Sequence, residues 1–142
     1  SSDDVTYFLE NIVQFHLQFE WIHPFNDGNG RIGRVLMNYQ LQRLGYPPVI
    51  IRNKEKDEYY EALRDYQATK RTGMMERVVM LGLFESLHKR ITYLKGDAII
   101  EVADYAKTHE EGLPALLNAA RRQSIPAFRE KGVWKIGESF KL

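Results

Sequence analysis

The chain has 142 residues, enough for one ordinary domain or two very small ones. With 44% apolar and 27% charged residues it suits a folded globular protein, and a net charge of +1 supplies no global field toward nucleic acid or an anionic membrane. The absence of cysteine excludes disulfides and thiolate metal sites, and no apolar run approaches the roughly 20 residues of a membrane-spanning helix.

The first element is an expected amphipathic helix over residues 4 to 22. Val5, Phe8, Leu9, Ile12, Phe15, Phe19 and Ile22 follow helical spacing, and Asp3 or Asp4 is placed to cap it. Pro24 ends it, because the residue before a proline is pushed out of the α region. A second helix starts near Asn29 or Gly30, turns Val35, Leu36, Tyr39 and Leu41 inward and stops at Leu44-Gly45. YPPVII (46–51) must be extended, since two prolines forbid a helix. A third helix covers about 55 to 71 on Tyr59, Tyr60, Leu63 and Tyr66, and Gly73 breaks it. A fourth covers about 74 to 94 on Met75, Val78, Val79, Leu83, Leu87 and Ile91. Lys95-Gly96-Asp97 reads as a linker. A helix near 98–107, the turn THEEG (108–112) and a helix over 113–123 follow. PAFRE (126–130) and VWKI (133–136) are short strands joined by Lys131-Gly132, a two-residue hairpin signal.

Between the first two helices lies HPFNDGNGRIGR (23–34), a composition no packed core needs. Gly28, Asn29 and Gly30 adopt positive φ or leave the backbone bare at little steric expense. Successive N–H groups in such a turn form an anion-binding nest, and the helix that opens there adds the positive end of its dipole. Arg31 and Arg34, three apart, share one face of the first turn. Asp27 stands where an acid beside phosphates holds Mg²⁺, which takes one or two carboxylates and keeps most of its waters. His23, at the mouth of the loop, has a side chain able to accept a proton near neutral pH. Phe25 is expected to pin the loop to the core. Each feature alone has an ordinary reading: an exposed histidine, a tight turn, a solvated arginine face. Together they describe a base, a metal ligand and a phosphate cradle, and no GxxxxGK[ST] sequence offers a P-loop instead.

The stretch resembles the Fic family motif HxFx(D/E)GNGRxxR at every specified position. The similarity continues through RVLMNYQLQRLGYPPVIIR and DEYYEAL, over roughly residues 5 to 92. It implies a mainly α fold, of which this chain holds the later part, and transfer of AMP from Mg-ATP to a protein hydroxyl. It implies His23 as the base, Asp27 as the Mg²⁺ ligand, and Gly28, Asn29 and Gly30 as the anion hole. Arg31 and Arg34 would hold the distal phosphates, and Tyr60 would sit against the nucleoside. The intact GNGR core favours AMP transfer over the phosphorylation of Doc-like relatives, while phosphocholine or UMP transfer is decided outside this loop. The family's β-hairpin flap, which clamps the target segment, is expected upstream of this chain, which opens SSDD without methionine and reads as a fragment. Whether the fragment acts without the flap is left open. The inhibitory motif (S/T)xxxE(G/N) finds no match: Thr108, Glu111 and Gly112 come closest, one residue short in spacing. QATKRTGM (67–74) departs from the family's asparagine-containing turn.

The expected division is 1-95, a Fic part with the active-site loop, and 97-142, a small module resembling the winged helix of excisionase and MerR-type regulators. Arg121, Arg122, Arg129, Lys131 and Lys135 place five positive charges within 15 residues, against Glu130 alone, and could meet phosphates. Against DNA, the second helix opens LPALLNAA, and apolar residues cannot read base edges. Phe128 and Trp134 are expected in the core of the wing. Two functions follow. One is an adenylyltransferase acting on Ser, Thr or Tyr hydroxyls of a protein target in the cytoplasm. The other is a DNA-binding or toxin–antitoxin-type regulator whose Fic part binds nucleotide. A homodimer is open to both, and a membrane to neither.

Overall fold

The computed structural model describes residues 2–142, without the side chains of Ser2, Asp3 and Val5. Val5's place on the inward stripe therefore lies outside the described residues. The chain is mainly helical and divides into two compact units, Ser1–Leu83 and Phe84–Leu142.

The first unit contains α1 (Ser2–Ile22), α2 (Asn29–Arg43), a 3₁₀ turn (Asn53–Glu55), α3 (Lys56–Thr69) and the opening half of α4 (Gly73–Leu94). Asp3 and Asp4 lie inside the first turn of α1 rather than ahead of it, where the Asp4 carboxylate complements the helix dipole. Pro24 does end the helix. The buried face of α1 is Ile12, Val13, His16 and Leu17, while Phe8, Phe15 and Ile22 are exposed. On α2 the buried set is Asn29, Gly33, Met37 and Leu41, and Val35 and Tyr39 are exposed at 67% and 57%.

The reason is close approach. A Cβ at Gly33 would meet Glu20 Oε1 at 2.6 Å and the His16 and Phe19 rings at 3.2 Å. Gly33 thus faces α1 one turn from the buried Met37, and Val35 and Tyr39, on the other side of the helix, turn outward. α2 ends in a Schellman motif. The Gly45 N–H donates to Gln42 O at 2.9 Å, the Tyr46 N–H donates to Leu41 O at 3.0 Å, and Gly45 sits at φ 86. The Pro-Pro segment is extended, and the Asn38 side chain serves it as a strand would. Its Oδ1 accepts the Val49 N–H at 2.8 Å and its Nδ2 donates to Val49 O at 3.0 Å. α3 buries Tyr59, Ala62 and Tyr66 but leaves Tyr60 exposed. It stops at Lys70, left-handed at φ 62, and Gly73 opens α4 instead of breaking α3.

The second unit takes the later half of α4, then β1 (Ile99–Glu101), α5 (Val102–Thr108), α6 (Leu113–Arg121), β2 (Phe128–Glu130) and β3 (Val133–Gly137). The strand β1 stands where the sequence reading began a helix. It pairs antiparallel with β3, Ile100 opposite Ile136, and the sheet order is β1-β3-β2. Lys131 and Gly132 have φ of 51 and 79, as a two-residue hairpin requires, and Arg129 pairs with Trp134 across it. The core is Val102, Tyr105, Ala106, Leu116, Ala120, Ile125, Ala127 and Ile136. Lys95-Gly96-Asp97 is a turn within this unit, where Asp97 Oδ2 accepts the Ser139 hydroxyl at 2.5 Å. Ile91, expected to point inward from α4, is exposed. Among the described residues no helix is long and apolar enough to cross a membrane.

Candidate functional site

The loop between α1 and α2 is closed by one side chain. Asn29, buried at the start of α2, accepts the Phe25 N–H on Oδ1 at 3.0 Å and donates from Nδ2 to Phe25 O at 2.7 Å. These two bonds fold residues 25–29 into a turn. Asn29 therefore builds the loop with its side chain, whatever its backbone does for an anion. Phe25 does not pin the loop to the core: it is 49% exposed, its ring tilted against Phe19 at 6.5 Å. With the peptide of Phe25 held by Asn29, an apolar anchor is unnecessary.

His23 leaves α1 in the left-handed region, φ 51, with its N–H still donating to Phe19 O at 3.1 Å. Its imidazole is exposed at the mouth of the loop. Gly28, at φ 78, is the N-cap of α2 and gives no side-chain cap; its carbonyl accepts the Ile32 N–H at 3.0 Å. No acid occupies the first turn of α2. The first N–H groups of that helix are thus without an internal acceptor, at the positive end of its dipole.

The two arginines fold back onto the glycines. A Cβ on Gly28 would stand 3.1 Å from Arg31 Nη2, and a Cβ on Gly30 would stand 3.1 Å from Arg34 Nη1. Gly28 is required by its φ of 78, and at both glycines a side chain would press a guanidinium aside by a few tenths of an ångström. Asp27 is 95% exposed; its Oδ1 accepts the Gly28 N–H at 2.7 Å and its Oδ2 is 3.9 Å from Arg31 Nη2.

Beneath the loop lie groups that sequence reasoning missed. His16 is fully buried, with Nε2 2.7 Å from Tyr59 Oη. Burial pushes its imidazole down to about 4; the nearby Gly33 backbone opposes this and Arg34 adds to it. Burial pushes the Tyr59 hydroxyl up to about 12, helped by Glu20 and opposed by Arg34, whose guanidinium carbon lies 5.6 Å from the Tyr59 ring centroid. Burial also raises the Glu20 carboxyl, against the pull of Arg34 and His23. The available signal was a histidine and a glutamate four apart on α1, ahead of the loop. Tyr60 is half-exposed, its ring edge-on to Tyr59 at 5.6 Å.

A glycine-bared helix start, two arginines laid over it and a histidine at its mouth stand together in one loop, and comparison with known proteins bears on that segment. Residues 2–41 match the Fic/DOC family model. The Fic/DOC match runs from α1 through the loop to Leu41, a shorter reach than residues 5 to 92. The chain is also 51% identical over 55 residues to a protein adenylyltransferase Fic of Nematostella vectensis, covering 39% of this chain and 13% of that protein. It is 53% identical over 49 residues to proteins of the same name from Aedes aegypti and Drosophila grimshawi, covering 34% of this chain and 10% of each. The matched segment thus spans a small fraction of these Fic relatives. No solved structure matches the chain.

The basic residues of the second unit do not form one patch. Arg129 is 11% exposed and bonds Glu85, with Nη2–Oε1 at 2.6 Å and its guanidinium 4.5 Å from the Trp134 ring. Lys135 pairs with Glu130 at 3.6 Å, and Lys89 with the same carboxylate at 3.4 Å. Asn118, Arg121 and Arg122 are exposed on or just after α6, Arg121 donating to Asn118 Oδ1 at 2.6 Å. Phe128 is fully buried and Trp134 half-buried.

Proposed function

We propose that this chain carries the nucleotide-handling part of a protein adenylyltransferase, moving AMP from Mg-ATP to a Ser, Thr or Tyr hydroxyl of a protein target. The observation that carries the reading is the uncapped start of α2 with the Arg31 and Arg34 guanidinium groups held against Gly28 and Gly30. That arrangement suits several phosphates in a row: N–H groups for one, a guanidinium for each of the next.

In the transfer, the target hydroxyl oxygen attacks the α-phosphorus and its proton passes to His23. The bond from that phosphorus to the oxygen bridging to the β-phosphate breaks, and pyrophosphate leaves, its charge met by Arg31 and Arg34. The exposed imidazole of His23 is free to meet the incoming hydroxyl. Positioning and charge compensation supply most of the rate in such a reaction. Tyr60, on the surface beside Tyr59, is the proposed wall for the nucleoside.

Among the described residues no cluster of three histidines or carboxylates could hold a metal by itself. A single exposed carboxylate nonetheless fits Mg²⁺, which is commonly held by one or two carboxylates, phosphate oxygens and water, and Asp27 is that carboxylate. Bound there, the ion would neutralise phosphate charge. Calorimetry with ATP tests the cradle: wild type binds more tightly with Mg²⁺ than without, and Asp27→Ala loses that difference. Equal affinity with and without Mg²⁺ in wild type removes the metal from the account.

The exposure of Asn118, Arg121 and Arg122 supports a second reading, in which the C-terminal unit acts as a winged helix and binds DNA, as in a regulator whose Fic part binds nucleotide. Anisotropy of a labelled duplex at two salt concentrations tests it; no binding at low salt excludes it.

A further inference from the structure

Arg34 is a long side chain, and free in solvent it would sample many directions. In this structure it does not lie free. Its guanidinium sits over the ring of Tyr59 from α3 on one side and beside Gly30 on the other. Tyr59 is 1% exposed, so its ring is a fixed surface. Its hydroxyl is fixed as well, 2.7 Å from the buried Nε2 of His16 on α1. Three elements thus converge on one guanidinium: α1 through His16, α3 through Tyr59, and the start of α2 through Gly30.

We propose that Tyr59 is a positioning residue: held by His16, it aims the Arg34 guanidinium at the anion cradle over Gly30. The inference rests on the phosphate-cradle reading above. Its physical appeal lies in the charge of the holder. A carboxylate would hold Arg34 more strongly but would neutralise it and compete with phosphate. Tyr59 stays protonated up to about pH 12 and so holds the arginine without spending its charge. The other groups acting on this pair are Glu20 of α1, which burial pushes toward its neutral form, and Tyr60 beside Tyr59 on α3.

Tyr59→Phe keeps the ring and removes the hydroxyl. Calorimetry with ATP and with AMP is run on wild type, Tyr59→Phe, Arg34→Ala and the double variant. The hydroxyl's loss frees the ring from His16 and so loosens the guanidinium that lies over it, and ATP weakens about tenfold. AMP, which lacks the distal phosphates, is bound as in wild type. Once Arg34 is alanine, Tyr59→Phe has no further effect on ATP. A merely structural tyrosine would weaken ATP equally with and without Arg34, and that result, or an unchanged ATP affinity, overturns the proposal.

If wild type binds no ATP, the cradle reading fails, and the placement of Arg34 is decided separately by NMR. Its Nε–H signal is then distinct and slow to exchange in wild type and averaged in Tyr59→Phe; an unchanged signal overturns the proposal. Should Tyr59→Phe not fold, Arg34→Ala reports the same contact by NMR: the Tyr59 ring proton signals, set by the guanidinium over the ring, move, whereas unmoved signals overturn the proposal.

Discussion

His16 of α1 and Tyr59 of α3 share a hydrogen bond of 2.7 Å between Nε2 and Oη, and both side chains are buried. The bond joins two ionisable groups whose burial opposes charge on either. His16 titrates near 6.5 when unfolded and near 4 when folded, so the unfolded chain binds the proton more readily. Stability is complete above pH 6.5 and falls by about 3 kcal/mol as pH drops through 4. Tyr59 is raised from 10.0 to about 12, so stability falls again as pH rises above 10. Urea midpoints measured from pH 3 to 11 check both limbs. A midpoint flat between pH 7 and 4 in wild type contradicts the burial of His16.

Gly33 is the contact point of α1 and α2. Gly33→Ala puts a methyl group 2.6 Å from Glu20 Oε1 and 3.2 Å from two rings, so it destabilises by about 1–3 kcal/mol through overpacking. Gly45→Ala is a useful contrast. Nothing lies within 4 Å of its Cβ, and its effect comes from φ 86 alone, about 1–2 kcal/mol. Denaturation curves for both, with the ATP affinity of each folded variant, separate the two causes: Gly33→Ala also weakens ATP, and Gly45→Ala does not.

Gly28 combines both constraints. Its φ is 78, and a Cβ would press on Arg31 Nη2 at 3.1 Å. Gly28→Ala therefore strains the N-cap and displaces the guanidinium, and ATP affinity falls about tenfold, equivalent to 1.4 kcal/mol. Calorimetry reads the loss. Undiminished affinity would mean that Arg31 plays no part in the cradle.

The Arg129–Glu85 pair holds the hairpin to α4 within the C-terminal unit, both side chains nearly buried. Arg129→Ala removes the guanidinium from the nearly buried Glu85 carboxylate and destabilises that unit by about 3–5 kcal/mol. Arg121→Ala, on the surface, changes stability by less than about 0.5 kcal/mol. Thermal melts of the two variants check the contrast. Equal, small shifts would show that the buried pair is no anchor.

The legible parts of the sequence were those where backbone chemistry acts locally. Pro24 stops α1, Gly45 caps α2, and Lys131-Gly132 turns the hairpin, because each sets φ or removes a donor on its own account. The loop was legible for the same reason, its glycines and arginines having no ordinary place in a core. The helix faces were not. Counting large apolar residues put Phe15, Val35 and Tyr39 inward beside Leu41, whereas close packing at Gly33 turned His16 and Met37 inward and left only Leu41 of these buried. Small and polar residues at a helix contact leave no hydrophobic stripe to read. The strand β1 was missed because Ile99 and Ile100 are too few to show alternation, and their partner Ile136 lies far along the chain. The role of Asn29 in closing the loop onto Phe25 was hidden by its place in an anion-binding pattern.

As proposed, this loop directs AMP transfer with His23 as the base. The most direct test is the intact mass of the protein after incubation with Mg²⁺ and ATP labelled at the α-phosphate, the exposed hydroxyls of Tyr7, Tyr39, Tyr60 and Tyr93 serving as acceptors alongside any added target. Wild type is expected to gain one AMP and His23→Ala none, while His23→Ala still binds ATP. Labelling that persists unchanged in His23→Ala, or a wild type that neither takes label nor binds ATP, would contradict the proposal.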